Sequence, residues 1–441
     1  MTSSSHRRSA AGQRWAALLR PIALLFALCN TSQAEPYRPA SDDVVLATVP
    51  RAVQQLKSAR GAIAARPSDQ DAALRLARTW LDLARRDGDP RFFSYAQATL
   101  GPWMERPEVR AEVRVMMATA LQGLHQFADA QALLDRALIA EPQHAQAWLT
   151  KAALLQVQGD FAGARSACIP LMRLVDATVA LGCIAAAQSM SGHLEPSFRS
   201  LSRMVEASPP RDPATHSWLL GVLGEMAVRM DETRMAERSF RAAIEMDSAN
   251  SYAKGELADL LLREARYEEV MSLLEDYAEQ DALLLRLALA EHRLGKTCTD
   301  DKARASSSPR TPSFPRASSF PRRRESILSE QMDSRLRGND DVGGNDSPCW
   351  VAAYDARYRA AQRDNDTLHL REIARYLLEV RGDRAAALDT ALLNWETQRE
   401  PADIRIYWQA SASDTAARSL LTDWIARNGY EDALLHALPE K

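Results

Sequence analysis

Apolar and polar residues along most of this chain follow the period of a helix. In residues 111–144, AEVRVMMATALQGLHQFADAQALLDRALIAEPQH, apolar side chains recur at i, i+3, i+4 and i+7 in two runs broken near Gly123. The layout returns in residues 145–178, AQAWLTKAALLQVQGDFAGARSACIPLMRLVDAT. Ala118 falls on Ala152, Leu121 on Leu155, Phe127 on Phe161, Ala130 on Ala164 and Leu134 on Cys168, every pair 34 residues apart. A second pair of units spans 217–250 and 251–284, where Leu223 matches Leu257, Gly224 matches Ala258, Ala227 matches Leu261 and Phe240 matches Leu274. One further unit fits between, with Pro209, Pro210 and Pro213 shifting the register. A lone helical hairpin cannot bury such a stripe, whereas stacked hairpins can, so the pattern predicts an all-α array.

Small residues sit where paired helices must touch: Ala118, Ala130, Ala137, Ala152, Ala164, Gly224, Ala236 and Ala243. Trp148 takes an aromatic slot early in its unit and Pro142 closes the one before. In these respects the chain resembles the tetratricopeptide repeat (TPR), and its C-terminal stretch looks like the ends of proteobacterial repeat proteins. The resemblance implies a TPR-like helical-hairpin solenoid, a right-handed superhelix whose concave groove is lined by the first helix of each hairpin. It implies a scaffold that binds a protein or peptide, without catalytic residues, cofactor or metal. The outward positions of those first helices hold Gln122, Gln156, Glu225, Arg229, Asp259 and Arg263, the candidate partner-binding residues. Lys151 and Ser189 depart from the pattern, lying at or near slots that usually hold apolar or aromatic side chains. Arg375 stands where a small packing residue is expected, with Glu372 and Glu379 three and four positions away as candidate ion-pair partners. An alternative reading is an accessory protein whose groove holds a cell-wall or polysaccharide strand. That reading needs aromatics on the concave face, for which Tyr407 and Trp408 are the local candidates.

The flanks carry the same periodicity. A first helix is expected over 49–66 and a hairpin over 71–104, turning at Gly88-Asp89-Pro90. Beyond Trp350 the pattern gives a second helix to residue 364, a hairpin turning at Gly382-Asp383, a shorter hairpin, and a last helix over 431–438 that would cap the array.

Between Lys296 and Trp350 the composition changes to Ser, Pro, Arg, Asp and Gly, which predicts a disordered insert over 297–349. The run SFPRRRESILSEQMDSRLRGNDD reads as DNA more readily than as protein. Phe320-Pro321 can be written TTC-CCG, whose reverse complement encodes Arg-Glu, as at Arg324-Glu325. The same word in another frame gives Asp333-Ser334-Arg335 and, complemented, Arg337-Gly338-Asn339. The insert therefore resembles translated copies of the short palindromic repeats found between proteobacterial genes. Its arginines need no nucleic-acid partner to explain them, and a net charge of −3 supplies no field toward one.

Residues 1–34 read as a signal peptide: arginines to Arg20, the short apolar run PIALLFALC, and Ser32-Gln33-Ala34 before the expected cleavage at Glu35. Retention as an anchor stays open at this point. No later segment is apolar enough to span a bilayer, so a periplasmic or secreted protein is expected. The organisation is then 1–34 signal, 35–296 repeats, 297–349 insert, and 350–441 C-terminal helices. Cys168 and Cys183 lie in apolar helical stretches and read as buried free thiols. Cys298 and Cys349 bracket the insert, either as a disulfide or as two free thiols. No CxxC, P-loop, GxSxG or HExxH occurs, and the eight histidines are scattered.

Overall fold

The computed structural model describes residues 53–54, 56–66, 68–106, 108–295, 349–364 and 366–437. Met1–Gly61 and Ala62–Lys441 are separate compact units. The signal peptide, nearly all of the insert and Cys298 lie outside the described residues. α1 spans Lys57–Ala65; residues 49–52 and 55 of the helix expected there lie outside the described residues.

From residue 70 onward the chain is a succession of helical hairpins. They pair α2 (Gln70–Asp87) with α3 (Arg91–Leu100), α4 (Ala111–Gly123) with α5 (Phe127–Ala140), and α6 (Ala145–Val157) with α7 (Phe161–Cys168). Next come α8 (Ala177–Ser189) with α9 (Leu194–Ala207), α10 (Pro213–Arg229) with α11 (Thr233–Met246), and α12 (Ser251–Arg263) with α13 (Tyr267–Leu274). After α14 (Asp281–Arg293) follow α15 (Trp350–Asp364), α16 (Leu370–Glu379), α17 (Arg384–Trp395), α18 (Pro401–Ala410), α19 (Thr415–Asn428) and the short α20 (Leu434–Ala437). First helices pack on the first helices of neighbouring hairpins, and second helices on the first helix that follows. This is an all-α, TPR-like solenoid.

Local sequence explains where the helices begin. Asp69, Asp160, Asp212, Asn250, Asp383 and Asp414 each cap a helix by accepting a backbone N–H through the side chain. Pro213 adds the preset φ that suits a first helical position. Within hairpins the turn uses one residue at positive φ, two places before the second helix: His125, Gly159, Gly192, Asp231 and Ala265. The small residues predicted at helix crossings are buried there. Gly224 shows why they must be small, since a Cβ on it would lie 2.5 Å from the Phe240 ring.

The free-thiol expectation for Cys168 and Cys183 is corrected by the structure. The two form a disulfide, with Cα atoms 5.7 Å apart. α7 ends early, the 3₁₀ turn Ile169–Arg173 reverses the chain, and α8 returns along α7, so residues 15 apart in sequence face each other. Burial alone suggested thiols; the reversal decides the pairing.

The connection between α14 and α15 carries the insert, yet the two helices pack as a hairpin. The buried Glu291 carboxylate accepts the Val351 N–H at 2.7 Å, tying the start of α15 to the last turns of α14. Arg357 pairs with Asp281 at 3.1 Å at the other end. Cys349 is buried just before α15.

This packing has two measurable consequences. Replacing both Cys168 and Cys183 by Ala should lower stability by roughly 3 kcal/mol, the loop-entropy figure for a closure of this length. Urea unfolding of the oxidised protein reads it, and reductant should abolish the difference between the two chains. Deleting residues 303–346 should leave helical circular dichroism intact and shift the urea midpoint by less than about 1 kcal/mol, because loop entropy changes slowly with length.

Candidate functional site

The within-hairpin turns of the first five hairpins are all contacted by residues far along the chain. Each receives a later part of the chain, and the order is preserved. Gln280, before α14, donates to the Arg86 carbonyl at 3.0 Å and lies over Gly88. Gln398, between α17 and α18, lies with its Nε2 3.4 Å from His125 Nδ1. Arg399 donates its backbone N–H to Val157 O at 2.7 Å and Nη1 to Gln158 O at 2.6 Å. Glu431 accepts the first N–H of α9, from Leu194, at 2.8 Å, while Gly429 abuts Gly192. Ala433 N–H donates to Arg229 O at 2.8 Å. The residues of the expected terminal cap, from Glu431 on, form a strap over the last two of these turns. Burial, with Arg371 adding to it, holds the His125 imidazole below its ordinary pKa, keeping a neutral ring for the Gln398 amide.

These contacts place the candidate residues. Arg229 is not at the surface; it is 0% exposed. Its guanidinium donates to Glu225 at 2.5 Å and, with both Nη atoms, to the carbonyl and hydroxyl of Ser189 at 2.7 Å. The Tyr430 ring lies 5.7 Å away. Ser189, a departure from the repeat pattern, is thus the acceptor that a buried arginine requires. Asp259 bridges Arg286 and Arg375, at 2.6 Å to each. Arg375 also donates to Glu379 at 2.8 Å, so Glu379 and Asp259, rather than Glu372, are its partners. Arg263 donates to the Thr233 hydroxyl at 3.2 Å. Gln122 and Gln156 lie part-buried in the last turns of α4 and α6, next to the covered turns at His125 and Gly159. Lys151, the other departure, pairs with Asp135 at 2.6 Å.

The structure adds a second periodic feature that the sequence reading passed over. Along the first helices, a large residue in the first two turns of one lies against a glycine of the first helix of the hairpin before it. A Cβ on Gly182 would meet the Trp218 ring at 3.3 Å, one on Gly221 the Tyr252 ring at 3.7 Å, and one on Gly255 the Arg286 guanidinium at 3.3 Å. Trp218, Tyr252 and Arg286 are 34 apart, as are Gly221 and Gly255. The spacing was readable, although it falls on the polar face.

This inner tier is electrostatically crowded. Burial, and then Asp259, raises the Glu256 carboxyl to about 7, against the opposing pull of Arg286 and Arg405. Burial acts to raise Asp259 too, but Arg286 and Arg375 hold it below the usual carboxylate range. Arg405 is matched by Asp432 at 2.8 Å, leaving its Nη2 buried without a hydrogen bond among the described residues. A cleft of about 550 Å³ lies elsewhere, on the rim between Leu194, Phe198, Met230, Met235 and Ala433.

The aromatic platform that a polysaccharide strand would need is not at the expected place. Tyr407 is buried and donates its hydroxyl to Ala417 O at 2.9 Å, while the Arg418 guanidinium sits 3.9 Å over the Trp408 ring. Among the described residues no cluster of His, Cys, Asp and Glu could hold a metal ion, and no helix is long and apolar enough to cross a membrane.

No family model matches the chain, and no curated protein does. Solved structures similar to it include the following two. One is the APC/C hetero-tetramer Cut9–Hcn1, with TM-score 0.35 at 14% identity, covering 81% of this chain and 52% of that one. The other is the P58(IPK) TPR domain, with TM-score 0.24 at 12% identity, covering 82% of this chain and 99% of that one. The chain spans about half the length of the first. Neither likeness bears on partner or activity.

Two substitutions test the site's energetics. Arg229→Ala should cost about 3 kcal/mol or more, because it leaves Glu225 part-buried without its cation. The urea midpoint reads this loss. Glu256→Gln should act with opposite sign and depend on pH. The folded Glu256 carboxyl lies above its ordinary 4.5, so its contribution is complete below that value and is lost as pH rises through about 7. At pH 8 the Glu256→Gln variant should be more stable than wild type by on the order of 1–2 kcal/mol. Near pH 4 the two should match.

Proposed function

We propose that this protein is an exported, non-catalytic scaffold that binds a segment of another protein on the concave face of α10, α12 and α14. The observation that carries this reading is the ordered tier Trp218, Tyr252 and Arg286. These side chains are held in register by the glycines behind them, and Tyr252 is 53% exposed. Residue-by-residue display along a stacked face suits an extended ligand.

Export is supported by two independent features. One is the arginine-flanked apolar run before Ser32-Gln33-Ala34. The other is the Cys168–Cys183 bridge, a bond that persists in oxidising compartments. The pairing of Cys298 with Cys349 belongs to the same reading, and thiol counting on the unfolded native protein tests it. Full bridging leaves no free thiol in a chain cleaved after Ala34. N-terminal sequencing should find Glu35 first; an intact Met1 in a cytoplasmic fraction would sink the export reading. Immobilised native protein should capture a defined partner from a periplasmic extract, and Tyr252→Ala should lower the yield. Failure to retain any protein above a blank resin counts against the scaffold.

A further inference from the structure

We propose that Tyr252 and Glu256 form a subsite for one basic side chain, lysine or arginine, carried on the partner's extended segment. The proposal rests on the scaffold reading and adds the chemistry of what is bound.

Tyr252 and Glu256 lie one helical turn apart on α12, so their side chains emerge on the same face. The Tyr252 ring rests against Gly221 of α10, and the residue is half exposed. The Glu256 carboxylate forms no hydrogen bond or ion pair among the described residues, and that separates it from the charges around it. Glu225 is bonded to Arg229, Asp259 to Arg286 and Arg375, Glu400 to Arg371, and Arg405 to Asp432. Among these carboxylates Glu256 alone has no hydrogen-bonded cation among the described residues. A cation placed there gains a carboxylate partner and an aromatic ring. An anion would meet the unpaired carboxylate, and the free Nη2 of Arg405 is buried.

The combination occurs at one level of the tier. Thirty-four residues earlier the same two positions hold Trp218 and Val222, and thirty-four later Arg286 and Ala290. The face therefore offers one cation subsite, and it selects a segment by a single basic residue rather than by a run of them.

The charged and titratable groups acting on this subsite are Glu225 of α10, Asp259 and Tyr252 of α12, Arg286 of α14, Glu400 just before α18 and Arg405 of α18. Glu256 must be ionised to receive a cation. With its carboxyl at about 7, binding should strengthen from pH 6 to pH 8 as the proton leaves.

The experiment is fluorescence anisotropy at low salt on the native protein, using labelled tetralysine, its fully acetylated form, and tetraglutamate. Tetralysine should bind, and the other two should not. Glu256→Gln and Tyr252→Ala should each weaken tetralysine binding about tenfold. Glu256→Gln should also remove the rise in affinity between pH 6 and pH 8, with circular dichroism showing the fold retained. Equal tetralysine affinity in wild type and both variants overturns the proposal, as does tighter binding of tetraglutamate or of the acetylated peptide. A captured partner that both variants hold as well as wild type overturns the subsite and leaves the scaffold reading standing.

Discussion

A guanidinium shut away from water sets the terms for much of this fold. Arg229 ends α10, and each of its three nitrogens is spoken for: Nε by Glu225, both Nη atoms by Ser189 at the end of α8. Removing an arginine from water costs several kcal/mol unless its donors are satisfied in good geometry. That requirement couples α8 to α10. The Tyr430 ring lies near the same guanidinium and Ala433 bonds the Arg229 carbonyl, so the C-terminal run belongs to the arrangement too. Were the strap to lift, Arg229 would lose part of the cover that makes it a buried residue. Were Arg229 absent, Glu225 would be left part-buried beside Tyr430 with no cation. Each half of the contact is conditional on the other.

Much of the architecture was legible because repeat packing writes itself into sequence at fixed intervals. Ala118, Ala152, Phe127 and Phe161 are tied to neighbours within one hairpin or the next, and such contacts recur every 34 residues. The second helix Trp350–Asp364 was legible for the same reason, even across the insert. What was not legible depends on longer paths. The strap is set by the small rotation from each hairpin to the next, summed over several, and no local pattern encodes that sum. Arg229 therefore read as an exposed groove residue. Its signature was present in Ser189, a polar residue near a packing slot, although one departure could not be matched to the other across 40 residues. The Cys168–Cys183 bridge was hidden by the 3₁₀ reversal, a turn that the helical period does not announce.

Contact between early and late hairpins changes the energetics of the array. In an open solenoid each repeat meets only its neighbours, so stability is a sum of local terms and terminal repeats fray first. Here the turns at Gly88, His125, Gly159 and Gly192 are each covered by chain more than 190 residues later in sequence. Loss of the last helices would expose the N-terminus of α9, now capped by Glu431, and the carbonyls bonded by Arg399. The C-terminal hairpins are thus joined to the first half of the array as well as to their own neighbours, and the array should lose structure more cooperatively than an open one.

The same contacts bear on what the proposed binding face can accept. Arg375 of α16 reaches directly to Asp259 of α12, and Arg405 of α18 acts on Glu256 and Tyr252 of α12. Side chains from opposite sides therefore meet across the face near the proposed subsite. A partner helix needs a corridor of about 10 Å or more with its side chains, and a face crossed by a single arginine does not supply one there. An extended segment does fit this constraint, because its backbone is narrow and its side chains alternate. It can lay one residue against Tyr252 and Glu256 while leaving the Arg375–Asp259 pair intact. On this argument the ion pairs that close the interior act as a filter on ligand shape. The one carboxylate they leave unmatched then selects the charge of the side chain that enters.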